Sequence, residues 1–437
     1  MYTLYNFLFN LAFIFAFPYL LLRAAWGKHG VLERMGRLSG QKTGELRGRK
    51  VIWFHAASVG EVKALSVIIP QVRRNHPEYE LVVSTLTKTG KADAERILKG
   101  AGIVFFIPVD LKRFVRRTIR RIKPVALILV ETELWPNLIR EAKKSGCFVG
   151  LVNGRISERS LRKYQLVGSL FAETLTYLDL LCLQSEEYKQ RMLLLGADQG
   201  KIVITGNLKF DRLLLADGCR DVSQIRKSLH IPPDRRVLVA GSTREGEEQI
   251  LLPVFKRLKQ QYTNLVFVLA PRHLNRLSQV EGILSVEGLD FVRRTQLDEL
   301  ASKHAQAGES SLGHKSLILL DTMGELSKIY CLADVAFVGG SLVPVGGHNL
   351  LEPAIYSVPV LFGPHVDNFK EEAKILVESG GGIQVENQDG LQRELTDLLS
   401  DDEKRKRLGQ QAREAIQRKT GVAKRTMDLI FSALEQS

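Results

Sequence analysis

The chain has 437 residues, too many for one ordinary hydrophobic core, and therefore reads as two domains. With 45% hydrophobic and 25% charged residues its composition is that of a globular protein, which excludes a disordered or fibrous chain. A formal net charge of +14 calls for an anionic partner, and the motifs must choose among nucleic acid, acidic lipid and a phosphorylated substrate.

Residues 1–22, MYTLYNFLFNLAFIFAFPYLLL, carry no charged side chain, and Arg23, Lys28, Arg34 and Arg37 follow. At about 1.5 Å per residue such a run nearly crosses a hydrocarbon core of roughly 30 Å, although Asn6, Asn10 and Pro18 weaken it as a spanning helix. A cleavable signal is disfavoured, because the basic residues follow the apolar run and no small-residue cleavage site is present. Residues 1–25 therefore read as a membrane anchor, spanning or monotopic, with the rest of the chain on the cytoplasmic side. The plainer alternative is a helix packed on the protein's own surface.

From Val51 onward, apolar runs alternate with amphipathic stretches. Strands are predicted at 51–54, 81–85, 103–106, 125–130, 147–152 and 179–183, and again at 237–240, 265–269, 317–320, 335–338 and 359–362, with helices between them. The fold class is α/β, with two Rossmann-like domains over 26–210 and 236–410. Residues 211–235, with Gly218 and Pro232-Pro233, read as a linker, and 411–437 as a C-terminal helix. The basic stretch DLKRFVRRTIRRIK at 110–123 reads equally as a membrane-facing helix or as the solvated face of a crossover helix. No zinc-finger spacing, RNP-like motif or basic zipper supports nucleic acid as the partner. Cys147, Cys182, Cys219 and Cys331 show no metal-ligand spacing and read as buried free thiols, which favours a reducing cytoplasmic setting.

The chemistry-bearing residues fall just after predicted strands, where open α/β sheets place ligands. HAASVGE at 55–61 puts Glu61 at a helix start, where it is either a functional carboxylate or one favoured merely by the helix dipole. ETELWPN at 131–137 supplies Glu131 and Glu133, the latter also able to cap the following helix. Lys209 in GNLKFD at 206–211 can stabilise negative charge near the domain crossover, or be an ordinary surface lysine. Ser242 in AGSTR marks another phosphate-facing turn.

Pro271-Arg272-His273 offers a guanidinium for a phosphate or a carboxylate, with His273 read as structural. In Met323-Gly324-Glu325 the backbone suits a base edge, while Glu325 can instead cap a helix. Residues 338–364, VGGSLVPVGGHNLLEPAIYSVPVLFGP, read as strand, glycine-rich loop, helix from Leu350 to Tyr356, and strand. Gly346 and Gly347 bring amides to a phosphate, and Asn349-Leu350-Leu351-Glu352 offers Glu352 to sugar hydroxyls. Together these features indicate a nucleotide-sugar pocket. No Asp-x-Asp motif is present, so the sequence makes no case for a metal-bound diphosphate.

The stretch GGSLVPVGGHNLLEP, with DTMGEL at 321–326, LAPRH at 269–273, HAASVGE, ETELWPN and GNLKFD, closely resembles the bacterial Kdo transferases over almost the whole chain. These add 3-deoxy-manno-octulosonic acid (Kdo) to a lipid A precursor. The resemblance implies a GT-B type glycosyltransferase, with two Rossmann-like domains facing a central cleft and an N-terminal membrane-anchor helix. It implies a CMP-Kdo donor, a lipid A precursor (lipid IVA) as acceptor, the inner (cytoplasmic) membrane with its anionic lipid as location, and neither cofactor nor metal. Glu61 is then the general base, Glu131 a second functional glutamate, and Lys209 the group that stabilises the departing phosphate. Ser242, Pro271, Arg272, Met323, Gly324, Glu325, Gly346, Gly347, Asn349, Leu350, Leu351 and Glu352 bind the donor. Without the resemblance the residues stop at an anionic nucleotide-sugar transferase. The alternatives are then another GT-B glycosyltransferase or a nucleotide-sugar epimerase, or a non-enzymatic membrane-attached binder of lipid or nucleic acid. The polar loop at 301–315 departs from the family pattern and receives no role.

Overall fold

Runs of Val, Ile, Leu and Phe four to seven residues long, too short for helices and too apolar for an exposed face, become parallel strands covered on both sides. The computed structural model describes residues 1–25, 30–38, 44, 46, 48–99, 102–215, 221–299 and 315–436. The chain divides into two units, Met1–Arg212 with Lys419–Ser437, and Leu213–Arg418.

The first unit holds β1 (Lys50–His55), β2 (Tyr79–Thr85), β3 (Ile103–Phe106), β4 (Pro124–Val130), β5 (Phe148–Gly154), β6 (Leu180–Leu183) and β7 (Ile202–Ile204). They are all parallel, in the order β3-β2-β1-β4-β5-β6-β7. Successive residues serve opposite cores: Trp53, Leu127 and Val149 face one layer, Ile52, Phe54 and Ile128 the other. Because β2 and β3 lie on one side of β1 and β4 on the other, the order reverses between β1 and β4. This is the switch point at which an open sheet leaves a crevice.

The second unit repeats the plan with β8 (Arg236–Thr243), β9 (Leu265–Pro271), β10 (Phe291–Arg293), β11 (Leu317–Leu319), β12 (Val335–Val338), β13 (Val360–Phe362) and β14 (Gly382–Gln384). The order is β10-β11-β9-β8-β12-β13-β14, so its switch point lies between β8 and β12. The edge strands β10 and β14 are not among the predicted strands, since three residues with one or two apolar side chains give no periodicity.

The chain end belongs to the first unit. Asp211 accepts hydrogen bonds from Gly421 N (2.7 Å) and Ala423 N (2.6 Å) at the start of the helix Val422–Glu435. Val422, Met427, Ile430 and Phe431 of that helix then join the core that contains Ile68 and Val83. A preceding helix, Asp402–Gln417, runs through the boundary expected at 410, and the stretch read as a linker contains the helices Leu208–Leu215 and Val222–Ser228.

Three further expectations change. The N-terminal helix exists, from Tyr2 to Ala25, but no described helix is long and apolar enough to cross a membrane. Its first turns pack on the first unit: Tyr2 is buried with its hydroxyl donating to Pro136 O (3.1 Å), and Tyr5 donates to Asp110 Oδ2 (2.8 Å). The buried Asp110 carboxylate also receives Asn137 N and Leu138 N, at the start of the helix Pro136–Lys144; burial pushes its pKa up to about 6. Leu4, Phe7, Leu8, Leu11, Ile14 and Phe15, spaced at helical intervals, remain exposed.

The basic helix, Lys112–Ile122, buries Phe114, Val115, Ile119 and Ile122, and several of its arginines have protein partners. Arg116 pairs with Glu141, Arg117 donates to Met35 O (3.2 Å), and Arg121 bonds Leu38 O. Cys147 and Cys182 are buried free thiols, but Cys331 is disulfide-bonded, so the expectation of four free thiols does not hold. Cys219, like residues 301–314, lies outside the described residues.

Candidate active site

In the first unit, chemistry concentrates at the carboxyl ends of β1 and β4. Ser58 caps the helix Val59–Asn75, its Oγ accepting Glu61 N (3.4 Å) and donating to Glu61 Oε1 (2.7 Å). Glu61 Oε2 reaches back to Ala57 N at 2.7 Å. This capping-box arrangement fixes the carboxyl group, so the helix-start role and a chemical role are carried by the same geometry. Glu61 is only 8% exposed. Burial, then the negative charge of Glu133 and more weakly of Glu131, pushes its pKa up to about 7 against the opposing bonds from Ser58 and Ala57.

Glu131 and Glu133 come from the turn after β4. Glu131 has φ of +62°, a left-handed conformation that a non-glycine residue adopts at a cost, and its N–H donates to Val152 O (2.9 Å) across to β5. Its carboxylate accepts Arg155 Nε (2.7 Å); burial raises its pKa, opposed by Arg155 and by Arg212. Glu133 accepts Trp135 Nε1 (2.8 Å) and lies 3.4 Å from His55 Nε2. Burial alone would raise Glu133, but His55 and Trp135 together outweigh it and hold the carboxylate low. The alternative role of Glu133 as a helix cap is not seen, since Asp110 accepts the N–H groups at the start of the helix Pro136–Lys144; Glu133 is the negative charge beside Glu61. His55 stands in the same motif as Glu61, but no sequence spacing relates it to a residue 78 positions on.

Lys209 sits at the start of the helix Leu208–Leu215, its N–H bonded to Asn207 Oδ1 (2.9 Å). Asn153, at the end of β5 with φ of +53°, accepts Leu208 N (3.0 Å) on its side chain and so ties that helix to the same sheet edge. Arg212, on the helix with Lys209, lies in charge range of Glu131.

The second unit brings its motifs to the ends of β8, β9, β11 and β12. Glu247 holds two of these loops together. Wholly buried, it accepts Arg244 N (2.9 Å) and Gly340 N (2.7 Å) on one oxygen, and Ser341 N (3.0 Å) and Leu342 N (2.9 Å) on the other. A Cβ on Gly339 would meet Glu247 Oε2 at 2.7 Å and the Ser242 carbonyl oxygen at 2.7 Å, so only glycine admits this clamp. Ser242 itself is left-handed, φ +57°. The clamp was not recognised in the sequence, because a carboxylate at a helix start looks the same whether it serves its own helix or a distant loop.

Gly346 and Gly347 have φ of +97° and +81° and carry the chain into Asn349-Leu350-Leu351-Glu352. The helix predicted for Leu350–Tyr356 is a single turn, Leu351–Ala354, and Ser357 turns left-handed just beyond it. The bent loop, not a long helix dipole, therefore shapes this site. Asn349 Nδ2 donates to Glu352 Oε1 (3.1 Å), while Leu350 and Leu351 are buried beneath. Pro271 closes β9, and Arg272 N bonds Thr243 O (3.0 Å). Met323 is exposed, Gly324 takes φ of +85°, and Glu325 accepts Thr322 Oγ1 (2.5 Å) with Arg294 Nε at 3.4 Å.

Both units are parallel α/β sheets with their site residues at the switch points, the second with a glycine-bent loop there, and residues 222–415 match the glycosyl transferases group 1 family. Residues 29–212 match the 3-deoxy-D-manno-octulosonic-acid transferase (Kdo transferase) family model. A 3-deoxy-D-manno-octulosonic acid transferase of Haemophilus influenzae is 34% identical over 387 residues, 88% of each chain. A bifunctional glycosyltransferase/methyltransferase of Fusobacterium nucleatum is 39% identical over 358 residues, 80% of this chain, and the chain spans about half (53%) of that relative's length. A glycosyltransferase of Rickettsia africae superposes with a TM-score of 0.57 over 89% of this chain and 100% of its own, at 12% identity, a likeness of fold alone. The chain belongs to the Kdo transferase family.

A carboxyl group whose folded pKa is about 7 binds its proton more tightly folded than unfolded, so stability falls as pH rises from the ordinary value of 4.5 through 7. Glu61→Gln is therefore expected to gain about 1–3 kcal/mol over the parent protein near pH 8 and nothing near pH 4, measured by urea unfolding at both values. Equal stabilities at the two pH values would contradict the shift.

Proposed function

We propose that the protein transfers Kdo from CMP-Kdo to a lipid A precursor, lipid IVA, in lipopolysaccharide core biosynthesis, by an inverting, metal-independent displacement. The observation that carries the reading is the Glu61 carboxyl group at the switch point of the first unit, with a pKa of about 7, the value a general base needs near neutrality. Its ionised form takes the proton of a glucosamine hydroxyl. That oxygen bonds to the anomeric carbon of Kdo on the face opposite the leaving group, and the bond to the CMP phosphate oxygen breaks with its electron pair leaving on CMP.

Glu131, held by Arg155, positions the acceptor and contributes transition-state electrostatics, and Lys209 stabilises the departing phosphate. In the second unit, Ser242, Pro271 and Arg272, the turn at Met323-Gly324-Glu325, and the loop from Gly346 and Gly347 to Glu352 bind the donor. The curved amides and guanidinium suit a monophosphate, which needs less neutralisation than a diphosphate. Holding donor and acceptor in a reactive geometry supplies much of the rate.

The exposed face of the helix Tyr2–Ala25 supports an anchor lying in the plane of the inner membrane, on its cytoplasmic side. Its opposite face packs on the basic helix, where Phe13, Leu111 and Phe114 form a cluster and Arg113 stacks over Phe13. This places cationic side chains beside the apolar stripe, as anionic lipid would favour.

Incubation of the purified protein with CMP-Kdo and lipid IVA is expected to release CMP and add Kdo to the lipid by mass spectrometry. Absence of both products from folded protein would refute the reading. For the anchor, replacing Phe7 and Phe15 together by glutamate is expected to abolish flotation with vesicles containing anionic phospholipid; unchanged flotation would remove the helix from that role.

A further inference from the structure

Beside the donor loops stands a group of cationic and imidazole side chains that the single charge of a CMP phosphodiester does not require. Arg244, following β8, bonds His273 Nε2, following β9. Since the guanidinium can only donate, His273 accepts on Nε2 and carries its proton on Nδ1, leaving an N–H donor there. His348, from the loop after β12, is half-buried, and its Nε2 is shielded from solvent with no hydrogen-bond partner among the described residues. Burial, then the positive charges of Arg272 and Arg244, hold its pKa down to about 4.

The ring sits against Gly340, φ +72°. A Cβ there would meet His348 Cδ2 at 2.9 Å and Arg244 Cγ at 3.5 Å, so glycine at this position admits imidazole and arginine stem side by side. Three loops from three neighbouring strands thus converge on one spot.

Among the described residues no ion pair involves Arg244 or Arg272. The nearby carboxylates are engaged elsewhere: Glu247 by four backbone N–H groups, Glu248 by Arg276 (3.0 and 3.1 Å) and Thr243 (2.9 Å), and Glu245 by Gln279 (3.1 Å). Uncompensated guanidiniums beside an unpartnered buried nitrogen make a site for an anion with several acceptor lone pairs.

We propose that Arg244, His273 and His348 form the subsite for the carboxylate of the donor sugar acid, apart from the phosphate that Arg272 and the glycine loop hold. The assignment rests on the CMP-Kdo reading and deepens it. A CMP-linked sugar acid carries two anionic groups close together, the phosphodiester and the carboxylate. A subsite for the second lets the enzyme refuse CMP-sugars that lack it, because the cationic cluster would then be left desolvated without a partner.

The test separates the two anions by comparing CMP-Kdo with CMP alone. Arg244→Gln and His348→Asn are each expected to raise KM for CMP-Kdo by about tenfold or more, while the Kd for CMP by calorimetry stays within about threefold of the parent protein. Retained CMP binding also shows that the variant is folded. A CMP-linked Kdo analogue with a hydroxymethyl group in place of the carboxylate should bind the parent protein about tenfold or more weakly than CMP-Kdo, and Arg244→Gln should erase that difference. Parallel loss of CMP affinity, or an unchanged KM for CMP-Kdo, would overturn the assignment. A parent protein that binds CMP yet never turns over CMP-Kdo would instead overturn the functional reading beneath it.

Discussion

Three carboxylates brought together out of water by two strand ends disfavour one another's charge, and the first unit is organised around that conflict. Glu133 keeps its charge because His55 and Trp135 compensate it, and Glu131 is paired with Arg155. Glu61 receives only a serine hydroxyl and one amide, and it is the group whose pKa rises toward neutrality. The division of roles comes from the strand order: β1 and β4 are neighbours at the switch point, so the turn after one carries Glu61 and the turn after the other carries Glu131 and Glu133.

The second unit sets a buried glutamate at the corresponding reversal of strand order, where burial again raises its pKa but its role differs. Glu247 receives four backbone N–H groups, enough to satisfy both oxygens, and it serves as a rigid clamp between the turn after β8 and the glycine loop after β12. One topology thus yields a carboxyl group available for proton transfer in one unit and a structural one in the other. The difference lies in the number of amides within reach. With these acids engaged, Arg244 and Arg272 of the second unit form no ion pair among the described residues.

Much of this was legible in the sequence because parallel strands buried on both faces announce themselves as apolar runs, and ligand-binding turns follow directly after them. Glu61, Glu131 and the glycine loop follow directly after predicted strands, and the structure places them after β1, β4 and β12. What escaped was non-local or too short to be periodic. The three-residue strands β10 and β14 carry no alternation, and the helix after Asn349 is a single turn followed by left-handed Ser357. The contact of His55 with Glu133, the reach of Glu247 across 93 positions to Gly340, and the return of the C-terminal helix to Asp211 exist only once the sheets are assembled. The N-terminal helix was foreseen as an anchor, but Tyr2, Tyr5 and Asn6, which fasten one of its faces to Asp110, Pro136 and Asn137, gave no sign of their distant partners.

The most direct measurement is the pH dependence of kcat/KM for Kdo transfer, with the parent protein and Glu61→Gln compared across the neutral range. If Glu61 is the base, the parent rate falls on the acid side with an apparent pKa near 7, and the variant keeps only a small residual rate, lower by about 10²–10⁴-fold, with that limb gone. A variant that retains the same acid limb, or transfers Kdo at close to the parent rate, would contradict the account.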